Sequence, residues 1–271
     1  MQNISGNDMA KDFLGYLPEL PDVMAQFIEL TRQLNTTKTS YANILLSDQI
    51  LSTRIFSYIN LVLNTSKTDY LSINKGIALM GLHMFKNVVL AFSLYPAFEE
   101  AGCIELFKYS LSTAYYSKEI ALQFKFINPH DAFLLGFLHD IGKLALKNKF
   151  KDEYKFTTHN VLDIEKQYTI EEELAKFNYC HSDLGEYICK TWNLPIVVTD
   201  AIRFHHYPLD AMLPQAASII YLSDILAHKN MRITPEDMKI FQYMQLSKSD
   251  IMPYSVGQEK KLMPYFEILG I

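Results

Sequence analysis

The sequence predicts an all-α protein with two helical lobes. Apolar residues recur with helical spacing along the 271-residue chain, and no segment alternates convincingly with the period of two that marks a strand. The hydrophobic share of 49% and the charged share of 20% are typical of a globular protein. Pro96 and the Gly102-Cys103 pair interrupt the helical pattern, so we expect the lobe boundary near residues 96 to 104.

Helix-start and helix-stop residues divide the first half of the chain. Pro21 fits the first turn of one helix, and Ser47 is the predicted cap of the next. Ser72 is predicted to cap a third helix that ends near Gly81, where glycine readily adopts the left-handed conformation. A further helix is expected from residue 82 to residue 95, closed by Pro96.

The second half follows the same pattern. A long helix is predicted over 106–124, and Asn128 followed by Pro129 should open another that runs through Ile141. A polar, weakly patterned region follows at about 147–168. The remaining predicted helices are 184–192, 197–205, 216–227, one starting at Thr234 to Asp237, and a tail helix over 257–271 interrupted near Pro264.

Charge and cysteine content exclude several classes of protein. The net charge is −5 with scattered basic residues, which argues against a nucleic-acid partner. The three cysteines form no CxxC pair, which argues against a disulfide framework and a thiolate zinc site and fits a reducing compartment. No signal sequence or membrane-length apolar stretch is evident, so we expect a cytoplasmic protein without a membrane partner.

Histidines and aspartates in apolar surroundings are the candidate site residues. His139 and Asp140 interrupt FLLGFLHDIGKLAL, and Asp224 interrupts ASIIYLSDILAH. A buried carboxylate needs a partner, so we expect these three residues to meet in space. With His181 and the His205-His206 pair, they form a set of ligands suited to zinc, manganese or iron at a hydrolytic site.

Each histidine also has a structural interpretation that requires no metal. His181 can be a helix-start residue, and His205-His206 can end a helix and complement its dipole. The other four histidines are expected at the surface or at helix caps. They are His83, His130, His159 and His228.

The chain resembles the HDOD family, starting at His139-Asp140, the doublet that gives the HD superfamily its name. The Leu17–Pro21 stretch resembles the LPxLP opening of that family, and Trp192–Pro195 with Ala201–His206 resembles its WxLP and AIRxHH stretches. The resemblance covers roughly residues 13 to 228, in order and with consistent spacing. The other matching stretches are Ser47–Arg54, Ile77–Leu82, Asn87–Leu90 and His181–Gly185.

The resemblance implies an N-terminal helical lobe packed on an HD-type helical lobe. It divides the chain into a tail (1–12), an HDOD domain (13–230) with lobes 13–100 and 101–230, and a helical extension (231–271). In catalytic HD relatives, a first histidine, the HD doublet and a distal aspartate hold the metal. The doublet corresponds to His139 and Asp140, and the distal acid corresponds to Asp224.

Two departures distinguish this chain from the catalytic relatives. Tyr109 occupies the position of the first histidine, and a phenol with a reference pKa near ~10 is a poor replacement for imidazole on a divalent ion. The GYP signature of the HD-GYP cyclic-dinucleotide hydrolases is missing after His205-His206, where the sequence continues Tyr207-Pro208-Leu209. His181, His205 and His206 match the additional metal-binding histidines of that branch.

Three functions follow as hypotheses. The first is a non-catalytic signal-transduction or regulatory protein. The resemblance implies a motility-linked role, which is common in the family. Such a protein would act through a signalling protein partner or a small nucleotide-like ligand. The second is a metal-dependent phosphohydrolase of a nucleotide or cyclic dinucleotide, in which Lys143 could meet a phosphate. The third is a scaffold with structural histidines. Tyr109 favours the first and the third.

Overall fold

The structure, a computed structural model, describes residues 6–33, 35–62, 72–154, 157–160, 163–166, 168–227, 233–235, 237–255 and 258–270. These residues are predominantly helical, with one short antiparallel strand pair, so the all-α prediction is confirmed. The strands are β1 (Thr157–Asn160) and β2 (Asp163–Lys166). The helices are α1 (Gly6–Asp12), α2 (Asp22–Thr31), α3 (Lys38–Leu46), α4 (Gln49–Val62), α5 (Ile73–Met80), α6 (Leu82–Ser93), α7 (Tyr95–Glu100), α8 (Ile104–Phe124), α9 (Pro129–Leu138), α10 (Gly142–Phe150), α11 (Ile170–Phe177), α12 (His181–Thr191), α13 (Ile196–Arg203), α14 (Pro214–Ala227), α15 (Asp237–Tyr243), α16 (Lys248–Ser255) and α17 (Gln258–Leu269).

The chain divides into two compact units. The larger unit comprises Met1–Pro18 and Ala97–Val256, and the smaller unit comprises Glu19–Pro96 and Gly257–Ile271. The break after Pro96 lies at the edge of the range expected from the sequence.

The two chain ends are grouped differently from the division that the resemblance implied. The first 18 residues belong to the larger unit because α1 packs on α12 and the Phe13 ring meets the Phe150 and Tyr179 rings edge-on. The implied extension, 231–271, is shared between the units, since α17 packs on α4 within the smaller unit. Contacts distant in sequence, not linear order, decide this grouping.

Helix caps in the smaller unit confirm one sequence prediction and correct another. Ser72 caps α5 by accepting from the backbone N–H of Lys75 at 3.3 Å, and Gly81 ends that helix at φ +85°. Ser47 was wrongly predicted to cap α4, because its hydroxyl donates to the Ile44 carbonyl at the end of α3. Asp48 fills that role instead, accepting from the backbone N–H of Leu51 at 2.9 Å.

Pro96 does not close α6, which already ends at Ser93. Instead, Pro96 is the second residue of the short helix α7. Proline suits the first turn of a helix because its missing N–H would have no intrahelical partner there.

Helix α8 runs through the core of the larger unit, with α9 and α14 packed against it. Gly136 allows α9 to approach α8 closely, because a Cβ atom there would lie 2.4 Å from Ser117 Oγ and 2.7 Å from the Thr113 carbonyl oxygen. Asn128 opens α9 as predicted, accepting from the backbone N–H of His130 at 2.8 Å. This packing fixes the end of α9, where the His–Asp doublet follows.

The prediction of one continuous helix from Asn128 through Ile141 is wrong. Helix α9 ends at Leu138, and α10 begins at Gly142 after a turn formed by residues 139–141. Gly142 approaches the N-terminus of α12 so closely that a Cβ atom would lie 2.0 Å from the His181 carbonyl oxygen. This contact between helices is invisible in the local sequence, which is apolar on both sides of the break.

The weakly patterned region at 147–168 contains the end of α10, a 3₁₀ turn at Lys151–Glu153 and the β1–β2 pair. Helix α11 then begins at a capping box in which Thr169 and Glu172 each bond the other's backbone N–H. It ends at Phe177 and is followed by Asn178, whose left-handed φ of +61° terminates the helix before α12.

The C-terminal helices include one confirmed start and one correction. Thr234 accepts from the backbone N–H of Asp237 at 3.3 Å, as expected for the start of α15. The predicted interruption near Pro264 is wrong, because α17 continues through that proline. Leu262 and Phe266, on either side, are buried, and this burial offsets the hydrogen bond that proline cannot make.

Across the described ranges, no helix on its own has both the length and the apolar character needed to cross a membrane. The segments Ile73–Met80 and Leu82–Glu100 reach the required length and apolar character only when they are counted together, and they are bent by 117° relative to each other.

Candidate metal centre

Six sequence-predicted residues come together inside the larger unit. His139 and Asp140 lie in the turn after α9, and His181 is the first residue of α12. His205 and His206 lie in the turn just after α13, which ends at Arg203. Asp224 projects from α14, which packs on α8 and α9.

Asp140 lies at the centre of this cluster. Its Oδ2 atom is 3.2 Å from His139 Nε2, and its Oδ1 atom is 3.3 Å from His181 Nε2 and 3.9 Å from His205 Nε2. Asp224 Oδ1 is 3.4 Å from His139 Nε2, so both acids share this imidazole. The expected meeting of His139, Asp140 and Asp224 is therefore present in the fold.

Three histidines form the tightest part of the cluster. The Nε2 atom of His181 is 2.9 Å from that of His206 and 3.4 Å from that of His205. One ligand atom from each of these residues lies within 4.8 Å of the others. Imidazole nitrogens at this separation repel one another through their lone pairs unless a proton or a cation lies between them.

The outer nitrogen of three imidazoles is held by an acceptor. His139 Nδ1 donates to the Gly136 carbonyl at 2.8 Å, and His205 Nδ1 donates to the Ile202 carbonyl at 2.6 Å. His181 Nδ1 lies 2.7 Å from a carboxylate oxygen of Glu173. An acceptor at Nδ1 places the hydrogen there and turns Nε2 inward, which is how proteins prepare histidine to bind a metal.

Two buried polar atoms at the centre make no hydrogen bond within the described part of the chain. They are His139 Nε2 and Asp140 Oδ1. Each lies within ion-pair distance of a neighbouring group, but the geometry of these contacts is not that of a hydrogen bond. A buried polar atom without a hydrogen bond is costly and calls for an explanation. With the convergent Nε2 atoms, this donor set fits a divalent cation bound by imidazole and carboxylate.

The residues of the cluster have pKa values shifted in different directions, so their protonation states differ. Burial opposes ionisation of Asp140, but His139 and Lys143 prevail and hold the pKa of its carboxyl group well below its usual range. Burial likewise opposes protonation of His139, but Asp140 and Asp224 raise the pKa of its imidazole to about 10. Burial, followed by the charge of His181, lowers the pKa of His206 to about 4, so this imidazole is neutral near pH 7.

Tyr109 occupies the side of the cluster formed by α8 and α14. Its side chain is 0% exposed, and its hydroxyl donates to Asp224 Oδ1 at 2.5 Å. Burial, followed by the charge of Asp224, raises the pKa of the phenol well above its ordinary value. The phenol therefore stays neutral and engages the distal acid by a hydrogen bond.

Lys143 is the second residue of α10 and is as buried as Asp140. Its ammonium nitrogen is 2.6 Å from Asp140 Oδ2. In the phosphohydrolase hypothesis, this lysine was a candidate to contact a phosphate. In the structure it forms an ion pair with the central carboxylate.

Glu173 and Tyr154 are not among the site residues predicted from the sequence. Glu173 is fully buried and bonds both His181 and Tyr154. It stands among the acidic residues at the start of α11, and glutamates are mostly exposed in proteins. A signal was nevertheless present, because Glu173 shares a helix face with Ile170 and Phe177, which are buried.

The four histidines assigned to surfaces or caps lie apart from this cluster where the structure describes them. His83 is exposed on α6, and His130 lies in the first turn of α9. The side chain of His159 and the whole of His228 lie outside the described residues.

A cavity of about 190 Å³ adjoins the cluster at His206. Tyr221 of α14 and Lys239 of α15 contribute polar groups, and Leu209 and Ile240 contribute apolar surface. The remaining lining residues are Tyr207, Pro208 and Asp210.

A helical unit with a buried His–Asp doublet and additional converging histidines defines the chain as an HD-type helical protein. The sequence model of the HDOD domain matches residues 17–208, which is more than half of the chain. The chain belongs to the HDOD family. The match includes every histidine of the cluster and ends before Asp224.

Solved structures share this fold at low sequence identity. An HDOD domain protein of unknown function from Geobacter sulfurreducens is 21% identical, with a TM-score of 0.68 over 97% of this chain and 95% of that one. A protein provisionally named a phosphohydrolase, from Shewanella amazonensis, is 18% identical, with a TM-score of 0.69 over 97% of both chains.

A protein provisionally named a signal transduction protein, from Marinobacter aquaeolei, is 15% identical, with a TM-score of 0.72 over 100% of this chain and 67% of that one. At these identities the likeness shows the fold alone. No curated protein matches the sequence.

Proposed function

We propose that this HDOD protein is a non-catalytic regulatory protein of signal transduction that holds a divalent metal in its His–Asp cluster. The observation that carries the proposal is the hydrogen bond from Tyr109 to Asp224. It engages the distal acid with a neutral donor at the position where catalytic HD relatives have a metal-binding histidine. The protein then acts through a bound ligand or a protein partner.

The metal part of the proposal rests on the three convergent histidines and Asp140. Their nitrogen and oxygen donors suit zinc, manganese or iron, and the outer hydrogen bonds at Nδ1 keep the rings in place. When bound, such an ion supplies Lewis acidity and lowers the pKa of a coordinated water.

The non-catalytic part rests on what Tyr109 does to Asp224. A carboxylate that already accepts a 2.5 Å hydrogen bond has weaker donor capacity for an ion, and the buried phenol ring fills the adjoining space. We therefore expect the histidine side of the cluster to bind more strongly than the side formed by Asp224. This asymmetry favours retention of an ion without hydrolytic activation of water.

A metal-dependent phosphohydrolase is the second candidate. It is favoured by the compact arrangement of His181, His205 and His206 beside Asp140, since catalytic zinc sites need only three protein ligands and an open position. In this case Lys143, already paired with Asp140, would adjust the charge of that ligand instead of meeting a phosphate.

The cavity beside His206 supports a small-molecule ligand for the regulatory function. Lys239 can attract an anionic group, and Tyr221 with Leu209 offers surface for a planar or apolar body. A small nucleotide-like molecule has both features. A signalling protein partner is the other proposed route of action.

Metal content tests the proposal directly. Protein purified without added metal, analysed by plasma mass spectrometry, should contain a divalent transition metal in stoichiometric amount. A His181→Ala/His205→Ala variant should lose it, whereas His83→Ala, altered at an exposed histidine, should retain it. A folded wild-type protein that binds neither zinc, manganese nor iron at micromolar concentrations would overturn the proposal.

A further inference from the structure

Glu173 makes a set of contacts that a solvated helix-start acid would not make. Its side chain is 0% exposed, and its Oε2 atom accepts from both the backbone N–H and the Nδ1–H of His181 at 2.7 Å each. Its Oε1 atom accepts from the Tyr154 hydroxyl at 2.5 Å. Tyr154 is itself 1% exposed.

This burial has a large cost that specific contacts must offset. A buried carboxylate is tolerated only when it is hydrogen-bonded or paired. The ion pair that Glu173 forms within the described ranges is with His181 and involves neither lysine nor arginine. Both oxygens are used, and all three donors come from Tyr154 and His181.

The chain path brings these groups together from both sides of the β1–β2 pair. Tyr154 precedes the strands, and Glu173 lies on the helix that follows them. The left-handed residue Asn178 then turns the chain so that His181 reaches back to Glu173. Among the cluster residues, His181 donates the hydrogen bonds that Glu173 accepts.

We infer that Glu173, held by Tyr154, is a positioning residue that fixes the ring orientation and the Nδ1–H tautomer of His181. With Nδ1–H donated to Glu173, the Nε2 lone pair faces Asp140 Oδ1 at 3.3 Å and His206 Nε2 at 2.9 Å. The consequence for metal affinity rests on the proposed function, whereas the tautomer does not. Removing a group of this kind typically lowers metal affinity ~10–100-fold.

A purely structural role is the competing explanation. The bond from the His181 backbone N–H to Glu173 also caps the first turn of α12. A cap alone would affect stability and leave the imidazole tautomer and the metal affinity unchanged. These readouts therefore separate the two roles.

The test uses the full-length metal-free protein with nitrogen-15-labelled histidine. We expect the imidazole spectrum to show His181 as the Nδ1–H tautomer in the wild type. Glu173→Met should lose this tautomer and bind zinc ~10–100-fold more weakly in a competition titration with a chromophoric chelator. Glu173→Gln should retain the tautomer, because its amide oxygen can accept the same hydrogen, and should lose affinity to a smaller extent.

Glu172→Gln is the matched control, since Glu172 lies on the same helix, is exposed, and accepts a bond from the Thr169 backbone N–H that an amide oxygen can also accept. It should leave the His181 signals and the zinc affinity unchanged. Unchanged tautomer and affinity in a folded Glu173→Met protein would overturn the inference and leave Glu173 as a cap. If Glu173→Met does not fold, Glu173→Gln decides: an unchanged His181 Nδ1 shift together with unchanged zinc affinity overturns it.

Failure of the metal proposal is separately visible. If the tautomer depends on Glu173 but the wild-type protein binds no zinc, the positioning role is supported and the metal-binding role is overturned.

Discussion

At the scale of residues, the balance of charge around Asp140 explains how an acid can be buried in an apolar unit. The carboxylate is 2% exposed and lies 2.6 Å from the ammonium group of Lys143, which is equally buried. Burial opposes protonation of His139, but Asp140 and Asp224 raise its pKa to about 10. This imidazole therefore adds a second positive charge in the metal-free protein. A bound cation would strengthen the same balance.

Removing the Lys143 charge should therefore destabilise the metal-free protein. We expect Lys143→Met to lower the free energy of unfolding by about 3 kcal/mol, because breaking a buried ion pair leaves its partner uncompensated. Urea unfolding followed by circular dichroism measures this. Lys147→Met is the control, since Lys147 lies on the same helix and bonds the Lys151 carbonyl near the surface. Equal stabilities for the two variants would refute the ion-pair account.

The cysteines illustrate how burial controls reactivity. Cys103 is 3% exposed, and burial, partly opposed by the charge of Lys147, raises the pKa of its thiol to about 11. The unfolded thiol ionises near ~8.5, so at pH 8 the native protein should hold roughly 200-fold less Cys103 thiolate than the unfolded chain.

Alkylation by iodoacetamide at pH 8, read by peptide mass spectrometry, should therefore be slow at Cys103 in the native protein. The labelling rate should rise with pH up to about 11. Rapid native labelling at pH 8, comparable to that in urea, would show that this thiol is not buried.

At the scale of elements, the break between α9 and α10 makes the cluster possible. Consecutive residues of a straight helix point about 100° apart, whereas the turn at residues 139–141 lets His139 and Asp140 meet at 3.2 Å. Gly142 maintains the break by letting α10 lie directly against the start of α12, which carries His181.

Gly142→Ala should force these two elements apart. Its added Cβ atom would lie 2.0 Å from the His181 carbonyl oxygen and 2.7 Å from the Gly185 nitrogen, both backbone atoms that cannot rotate away. We expect a loss of about 3 kcal/mol in unfolding free energy and weaker metal binding through displacement of His181.

Gly185→Ala provides the comparison for this prediction. Its Cβ atom would meet the Ile202 side chain at 2.9 Å, which can adjust, so we expect a smaller loss of about 1 kcal/mol. Thermal denaturation of both variants checks the order. A Gly142→Ala protein as stable as the Gly185→Ala protein would contradict the proposed close approach.

Local signals predicted element starts well where a cap acts within a few residues. Ser72, Asn128 with Pro129, and Thr234 all lie where the sequence placed them, because each bonds a backbone group of its own first turn. The break after Leu138 could not be predicted in this way. It depends on α12, some 40 residues later in the chain.

At the scale of the whole molecule, site residues with a local sequence signal could be predicted, and those set by contacts distant in sequence could not. His139, Asp140 and Asp224 could be found because a polar residue among apolar neighbours needs a partner wherever the chain folds. Glu173 was missed because no helix was predicted over α11, so its place on a buried helix face with Ile170 and Phe177 was not recognised. The grouping of Met1–Pro18 with the larger unit was missed because the packing of α1 on α12 has no local signal.

The proposed function gives Tyr109 and the histidine cluster opposite effects, since the histidines favour metal binding and Tyr109 opposes hydrolysis. In this HDOD protein three histidines converge beside Asp140, and Tyr109, at the position that the resemblance assigns to the first histidine, donates a hydrogen bond to Asp224. The claim predicts a site that holds an ion and does not hydrolyse phosphodiesters. It also identifies Tyr109 as the residue responsible.

Turnover by the metal-loaded protein tests this claim most directly. Hydrolysis of cyclic di-GMP and of a generic phosphodiester is measured with manganese or iron bound, alongside Tyr109→His and Asp140→Ala. We expect the wild-type rate to equal the Asp140→Ala background, with stronger metal retention or turnover gained only in Tyr109→His. Wild-type turnover that Asp140→Ala abolishes would contradict the account and establish the protein as a phosphohydrolase.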